Sequence, residues 1–207
     1  MGSYSDADHS LPFLTDDDIS HAQKINETTA QALKKEFSEG YKGVLYGGFI
    51  ATADGVKLIE YNARLGDPEA MNVLPLLESD FVEVCYGIVN GNLDERNVSF
   101  SRRATVCKYA VPEGYPDSPV KGEPIDVSSV TDTSQLYYAS VDMKDGTLIE
   151  AGSRTVAYVG IAESLVKAEA KAGAEISKVR GPLFHRTDIG TTELIKKRVE
   201  HMKTLRN

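Results

Sequence analysis

Two periodicities, held in different stretches of the chain, predict an α+β protein. Apolar residues recur every three or four positions from Ile19 to Phe37 and again from Leu165 to Val179, the spacing of helices that bury one face. Between them, short apolar stretches broken at Asp54-Gly55 and Asp145-Gly146 read as antiparallel strands joined by tight turns. Helices and strands segregated in this way belong to the α+β class.

The opening MGSYSDADHSLPFLTDDD is polar, rich in turn formers and without a period, which predicts a loop. A chain that begins in mid-loop is expected to be a fragment. Thr15, followed by three aspartates and then by Ile19, Ala22, Ile25, Thr29, Leu33 and Phe37, predicts a helix with Thr15 as N-cap and acids at its positive end. GVLYGGFIAT and VKLIEYNA flank Ala53-Asp54-Gly55 and predict a β-hairpin. The next stretch, PEAMNVLPLLESDFVEVCYGIVNGNL, has a helical period interrupted by Pro75 and by Glu78-Ser79-Asp80, so two pieces are expected.

The polar NGNLDERN marks a boundary near Asn97 and divides the chain into domains 1–97 and 98–207. The second half restarts with the strand RATVCKYAV, passes a Gly/Pro-rich loop, and returns to strands in QLYYASVDM, GTLIEAG and RTVAYVGIA. Two helices close it. The first has Leu165, Ala168, Ala172, Ile176 and Val179 on its inner face, and the second is TTELIKKRVEHMKTL.

Composition excludes several function classes. The formal charge is −8, with 41% hydrophobic and 26% charged residues, as in ordinary soluble proteins. Phosphate-backbone binding needs clustered Lys and Arg, and the one basic cluster, ELIKKRVEHMK, is interleaved with Glu193 and Glu200. It reads as a solvated helix face, so no nucleic-acid partner is expected. Cys85 and Cys107 lie 22 positions apart in apolar runs with no CxxC, which predicts buried free thiols, a reducing compartment and a cytoplasmic protein. No apolar run reaches the roughly 18 residues of a membrane span.

The chemistry concentrates in LIEYNARLGDPEA, residues 58–70. Strand alternation places Val56, Leu58, Glu60, Asn62 and Arg64 on one side and Lys57, Ile59, Tyr61 and Ala63 on the other. A carboxylate beside an amide oxygen is a hard ligand pair suited to Mg²⁺, with phosphates and water completing the octahedron. Arg64 beyond them suits an anionic phosphoryl or carboxylate group. The same residues also read as a solvated strand face, and Asp67 as N-cap, Pro68 at N1 and Glu69 in the first turn make an ordinary helix start.

The stretch LYGGFIATADGVKLIEYNARLGDPEAMNVLPLLESDFVEV resembles the end of the ATP-grasp domain in the phosphoribosylamine–glycine ligase, or glycinamide ribonucleotide synthetase, family. A hairpin followed by E-[FY]-N-x-R-x-G-D-P-E is that family's signature. MGSYSDAD resembles its G-G-M-G-x-Y-S segment entered partway, EGYPDSPVKGEPI its G-Y-P-x-x-x-x-K-G loop, and FHRTDIG its R-x-D-I-G segment. AGSRTVA resembles S-G-G-R-V-L, with Gly152 and Arg154 matching and Ser153 replacing a glycine.

The resemblance implies the C-terminal part of an ATP-grasp domain followed by a small α+β domain. It implies Glu60 and Asn62 as ligands of Mg²⁺ or Mn²⁺, Arg64 as the catalytic arginine at the transferring phosphoryl group, and Gly66, Asp67, Glu69 and Arg154 at the substrate. Leu58 or Ile59 falls near the adenine or in the apolar core; His185 and Asp188 read as packing and helix-capping residues. The implied reaction joins glycine to 5-phosphoribosylamine with ATP, through glycyl phosphate, in purine synthesis. Most ATP contacts would lie upstream of Met1, so the chain alone is expected to turn over weakly or not at all, and the front half of the ligase is an expected partner. The other reading is a non-catalytic interaction or regulatory module that kept the fold.

Overall fold

In the computed structural model, which describes residues 1–94 and 97–206, the first residues of the polar opening segment form a strand and not the predicted loop, while residues 6–15 contain no helix or strand, as expected. Gly2–Ser5 forms β1 and pairs antiparallel with β4 (Ala104–Pro112), from Gly2 opposite Lys108 to Ser5 opposite Thr105. Its partner lies a hundred residues downstream, so nothing local announces it. Gly2 is required there, because a Cβ would sit 2.3 Å from the Cys107 carbonyl oxygen.

The described residues form two compact units. Unit 1 comprises Met1–His9 and Arg102–Leu194; unit 2 comprises Ser10–Ser101 and Ile195–Asn207.

Unit 1 is built on a sheet in the order β1-β4-β8-β5, with β8 spanning Val156–Ala162 and β5 Leu136–Tyr138. A short β9, Leu183–Phe184, pairs with the end of β4. All of β4 is buried, including its polar Thr105 and Lys108. Helix α4 (Leu165–Ile176) buries Leu165, Ala168, Ala172 and Ile176 as its period predicts, while Val179 falls just beyond it. Small residues let it approach β8 closely, and Gly160 is the closest point. Lys108 is buried in the same layer, its Nζ donating to Glu169 Oε1 at 2.6 Å and to the Thr187 carbonyl at 2.9 Å.

QLYYASVDM, expected as one strand, is two. β5 stays in the sheet, and β6 (Val141–Lys144) leaves it to pair with β7 (Thr147–Glu150). The switch falls at Ser140, whose N–H donates to the Arg154 carbonyl while its own carbonyl accepts from Ala151. The predicted Asp145-Gly146 turn is present with both residues at positive φ, 49° and 79°, as a type I′ hairpin requires.

Glu150, at the end of β7, is fully buried, and neither carboxyl oxygen has a hydrogen-bond partner. Burial first, then the carboxylates of Glu123 and Glu113, push its pKa up. Its neutral form therefore stabilises the fold below the ordinary glutamate range, and that contribution is lost as pH rises through the raised value. Glu150→Gln, which cannot ionise, is expected to flatten this decline, read from melting temperatures across the pH range.

In unit 2, α1 (Asp16–Glu36) starts at the predicted cap. Thr15 and Asp18 form a capping box, the Thr15 N–H donating to Asp18 Oδ2 at 2.8 Å and the Asp18 N–H to Thr15 Oγ1 at 3.2 Å. Strands β2 (Tyr46–Thr52) and β3 (Gly55–Asn62) make the predicted hairpin. The following stretch breaks as expected into α2 (Glu69–Val73), a 3-10 turn at Leu74–Leu76 and α3 (Phe81–Asn90). Asp80 caps α3, and Gly91 at φ 69° ends it. Cys107 is buried, but Cys85 on α3 is exposed, because an apolar run buries a thiol only if another element covers that side of the helix. The basic C-terminal helix, α5 (Thr192–Arg206), buries Met202 and half-buries Leu194, Ile195, Val199 and Leu205, while its basic residues are exposed; Arg206 pairs with Asp18. No helix of the described residues is long and apolar enough to cross a membrane.

Candidate functional site

Hairpin β2–β3 carries the candidate ligands, and α1 decides which of its faces is free. Tyr61 reaches α1, its hydroxyl donating to Asn26 Oδ1 at 2.8 Å and lying 3.2 Å from Thr29 Oγ1. Phe49, Ala51 and Val56 line a groove against Ile19, Ala22 and Asn26 of the same helix. Gly47 keeps the helix close, since a Cβ there would lie 3.0 Å from Asn26 Oδ1.

Strict alternation would put Val56 and Tyr61 on opposite faces. They share one because the register shifts between Gly48 and Phe49: Leu58 pairs with Phe49, Glu60 with Gly48, and Ile59 is the extra residue of a β-bulge. A bulge exchanges the faces beyond it. The predicted row of Val56, Leu58, Glu60 and Asn62 is thus corrected. Val56 lies under α1, while Glu60 and Asn62 stand together on the opposite face. Leu58 and Ile59 are not core, being 37% and 65% exposed.

The two ligand candidates meet. Asn62 Nδ2 donates to Glu60 Oε1 at 3.2 Å, and turning the amide over would set two oxygens side by side. Among the described residues no group of three or more His, Cys, Asp or Glu is arranged to hold a metal. A site made of Glu60 and Asn62 alone supplies oxygen donors only and leaves most of the coordination sphere to water and phosphate. That fits Mg²⁺ or Mn²⁺ and does not fit a caged structural metal.

Arg64 lies past the end of β3, exposed, with Nη1 donating to the Leu65 carbonyl at 2.6 Å. Gly66 is buried, and a Cβ there would lie 2.6 Å from Glu69 Oε2 and 3.0 Å from Tyr46 Cδ1. The glycine is what lets Glu69 fold back against Tyr46. Asp67, exposed, is not the helix cap: α2 begins after Pro68, with no side-chain cap, and the Gly66 carbonyl accepts from Ala70 at 2.8 Å. A backbone turn has taken the place of the expected Asx cap.

Tyr46 is the residue that sequence reasoning missed. It stands opposite Asn62 in the hairpin, and its hydroxyl is hydrogen-bonded to Glu69. Burial first, then Glu69 and Glu60, push its pKa up to about 12, so it stays a neutral donor and fixes that carboxylate. The available signal was an aromatic residue immediately before the Gly47-Gly48 pair. In Glu69→Gln the Tyr46 phenol is expected to titrate closer to the ordinary tyrosine value, followed by tyrosine ring-carbon NMR.

Arg154 lies in unit 1, half-buried just before β8. Close backbone approach in that segment falls on Gly152, where a Cβ would lie 2.5 Å from Ser140 Cβ, and Ser153 is exposed. His185 is half-buried, with its pKa lowered by burial and by the Lys108 charge. Asp188 does not cap α5 with its side chain; it holds Arg186 Nε at 2.9 Å and Nη2 at 2.6 Å, and Thr191 Oγ1 accepts the Leu194 N–H instead.

The family model described as phosphoribosylglycinamide synthetase, ATP-grasp (A) domain, matches residues 1–70, and the C-domain model of the same synthetase matches residues 105–192. The chain belongs to the phosphoribosylglycinamide synthetase family.

Within that family, phosphoribosylamine–glycine ligase of Methanocaldococcus jannaschii is 53% identical over 209 residues, covering 100% of this chain and 47% of the relative. The Methanosarcina acetivorans ligase is 53% identical over 206 residues, covering 100% of this chain and 46% of the relative. The chain spans about half the length of the curated relatives it matches. The crystal structure of the Thermotoga maritima phosphoribosylamine–glycine ligase superposes with TM-score 0.76 at 28% identity, covering 91% of this chain and 46% of that one. The biotin carboxylase subunit of pyruvate carboxylase shares the fold, with TM-score 0.56 at 16% identity over 93% of this chain and 41% of its own. The architecture is that of the synthetase family: mixed helix and antiparallel sheet, with an ATP-grasp segment first. Glu60, Asn62, Arg64, Gly66, Asp67 and Glu69 all fall inside the A-domain match, and Arg154 falls inside the C-domain match.

Proposed function

We propose that this chain is the C-terminal portion of an ATP-dependent ligase that joins glycine to 5-phosphoribosylamine, yielding glycinamide ribonucleotide, ADP and phosphate. The observation that carries the reading is the Glu60–Asn62 side-chain pair, set beside the Tyr46–Glu69 hydrogen bond in a segment that matches the family's ATP-grasp domain. We keep the domain boundary near Asn97, within the interval that separates the two matched stretches.

In this reading the glycine carboxylate attacks the γ-phosphoryl group of ATP, ADP leaves, and glycyl phosphate forms. The amine of phosphoribosylamine then attacks the acyl carbon and expels phosphate. Glu60 and Asn62 would hold Mg²⁺ or Mn²⁺, which would supply positive charge to offset that on the phosphate groups. Arg64, exposed beyond the strand end, offers its guanidinium to the transferring phosphoryl group. Gly66 and Asp67 line the substrate loop, Glu69 presents a carboxylate fixed by Tyr46, and Arg154 meets the substrate phosphate. Positioning and charge suffice for this chemistry, so no nucleophilic side chain is required. The alternative, a non-catalytic module, has no observation in its favour while the ligand pair and Arg64 remain in place.

The test joins this chain to the front half of the ligase, with ATP, Mg²⁺, glycine and freshly made phosphoribosylamine. Product and ADP are expected only with both parts present. Glu60→Gln with Asn62→Ala is expected to lower turnover about a hundredfold or more and to remove Mg²⁺-dependent nucleotide binding. Unchanged binding would take both residues out of the site, and full ADP release by this chain alone would overturn the need for the front half.

A further inference from the structure

Unit 2 lacks an apolar core of its own. Its buried apolar side chains among the described residues are Val56, Leu76 and Met202, whereas unit 1 buries most of β4, β8 and one face of α4. The 21-residue α1 and the 10-residue α3 contain no buried residue, and β2–β3 is a two-stranded sheet, marginal in water without something packed on it.

Helix α3 shows the deficit most sharply. Phe81, Val82, Tyr86 and Val89 are 50%, 58%, 60% and 63% exposed, and Val82, Tyr86 and Val89 follow one another at the four- and three-residue steps of a single helical stripe. Stripes of that kind on a soluble protein mark a surface that something covers.

What covers it has a size and a position in the sequence. Relatives matching this chain from end to end are about twice its length, and the part matched is their C-terminal half. A second copy fits poorly. A ten-residue helix is about 15 Å long and falls well short of the roughly 800 Å² per partner of a stable interface. Pairing two α3 stripes would also leave α1 and the hairpin bare, and a charge of −8 on each copy opposes association.

We propose that the α3 stripe is the docking surface for the segment that precedes residue 1 in these relatives. The inference rests on family membership and on the missing core, not on the proposed reaction.

The chain carries its own reporter. Cys85 lies on α3 and is exposed, while Cys107 is buried, so a thiol reagent reads α3 alone. The full chain is to be co-expressed with the front half of the M. jannaschii ligase and purified. A 1:1 complex is expected by light scattering, with Cys85 modified about tenfold or more slowly than in the chain alone. Val82→Asp with Val89→Asp changes two exposed residues. It is expected to leave the circular dichroism and melting of this chain unchanged and to weaken the complex about thirtyfold or more.

Absence of a complex overturns the proposal. So does a complex in which Cys85 stays fully reactive, or a chain that dimerises alone with Cys85 protected. An active complex with reactive Cys85 would sink the docking surface and leave the ligase reading standing. An inactive complex with protected Cys85 would do the reverse.

Discussion

Gly160→Ala is expected to unfold unit 1 or to leave it with a fraction of its stability. A Cβ at residue 160 would sit 2.0 Å from the Ala168 carbonyl oxygen and 2.8 Å from the Ala172 nitrogen. Both are backbone atoms of α4, so no rotamer change relieves the contact. The helix must lift off β8, and the Ala168 and Ala172 methyls that now touch the sheet would lose their packing. Overpacking in cores costs about 1 to 3 kcal/mol when side chains can yield; against fixed backbone the upper end is the minimum expected. Urea unfolding followed by circular dichroism measures it, and a midpoint within error of wild type would show that α4 is not held as described.

The second large effect lies in the same layer and has an internal asymmetry. Lys108 and Glu169 form an ion pair whose side chains are 2% and 24% exposed. Breaking a buried pair costs about 3 to 5 kcal/mol when the surviving charge is trapped, and replacing both partners with apolar groups costs far less. Glu169→Leu traps the Lys108 ammonium, leaving it only the Thr187 carbonyl. Lys108→Met leaves a carboxylate that can turn toward water. The expected order of destabilisation is Glu169→Leu, then Lys108→Met, then the double variant. Additive losses in the double-mutant cycle would show that the two groups do not act as a pair.

Much of the fold was legible because its signals are local. Thr15 with Asp18, the Asp-Gly turns, Pro75, and the spacing from Leu165 to Ile176 each specify a boundary or a face through residues a few positions apart. The failures share the opposite cause. β1 exists only through its pairing with β4, QLYYASVDM divides because Ser140 changes partners, and Cys85 is exposed because no described element covers that side of α3. At the candidate site the residue types in LIEYNARLGDPEA suggested a metal and phosphate clamp, and Glu60 and Asn62 do lie together. Three features were beyond a linear reading: the bulge at Ile59, the Tyr46–Glu69 bond, and the turn that replaces Asp67 as a cap. Each depends on a cross-strand or loop partner that sequence spacing does not encode.

The bulge at Ile59 makes the site tolerant of one change in chain length. A strand reads out its side chains in two phases, and the extra residue between Leu58 and Glu60 is absorbed while the partner strand goes on setting the faces. Deleting Ile59 would leave Glu60 opposite Gly48 and Asn62 opposite Tyr46, with Tyr61 still toward α1. For this hairpin, then, a frame-preserving loss of that one apolar codon is predicted to spare the ligand pair, whereas replacing both ligands removes it.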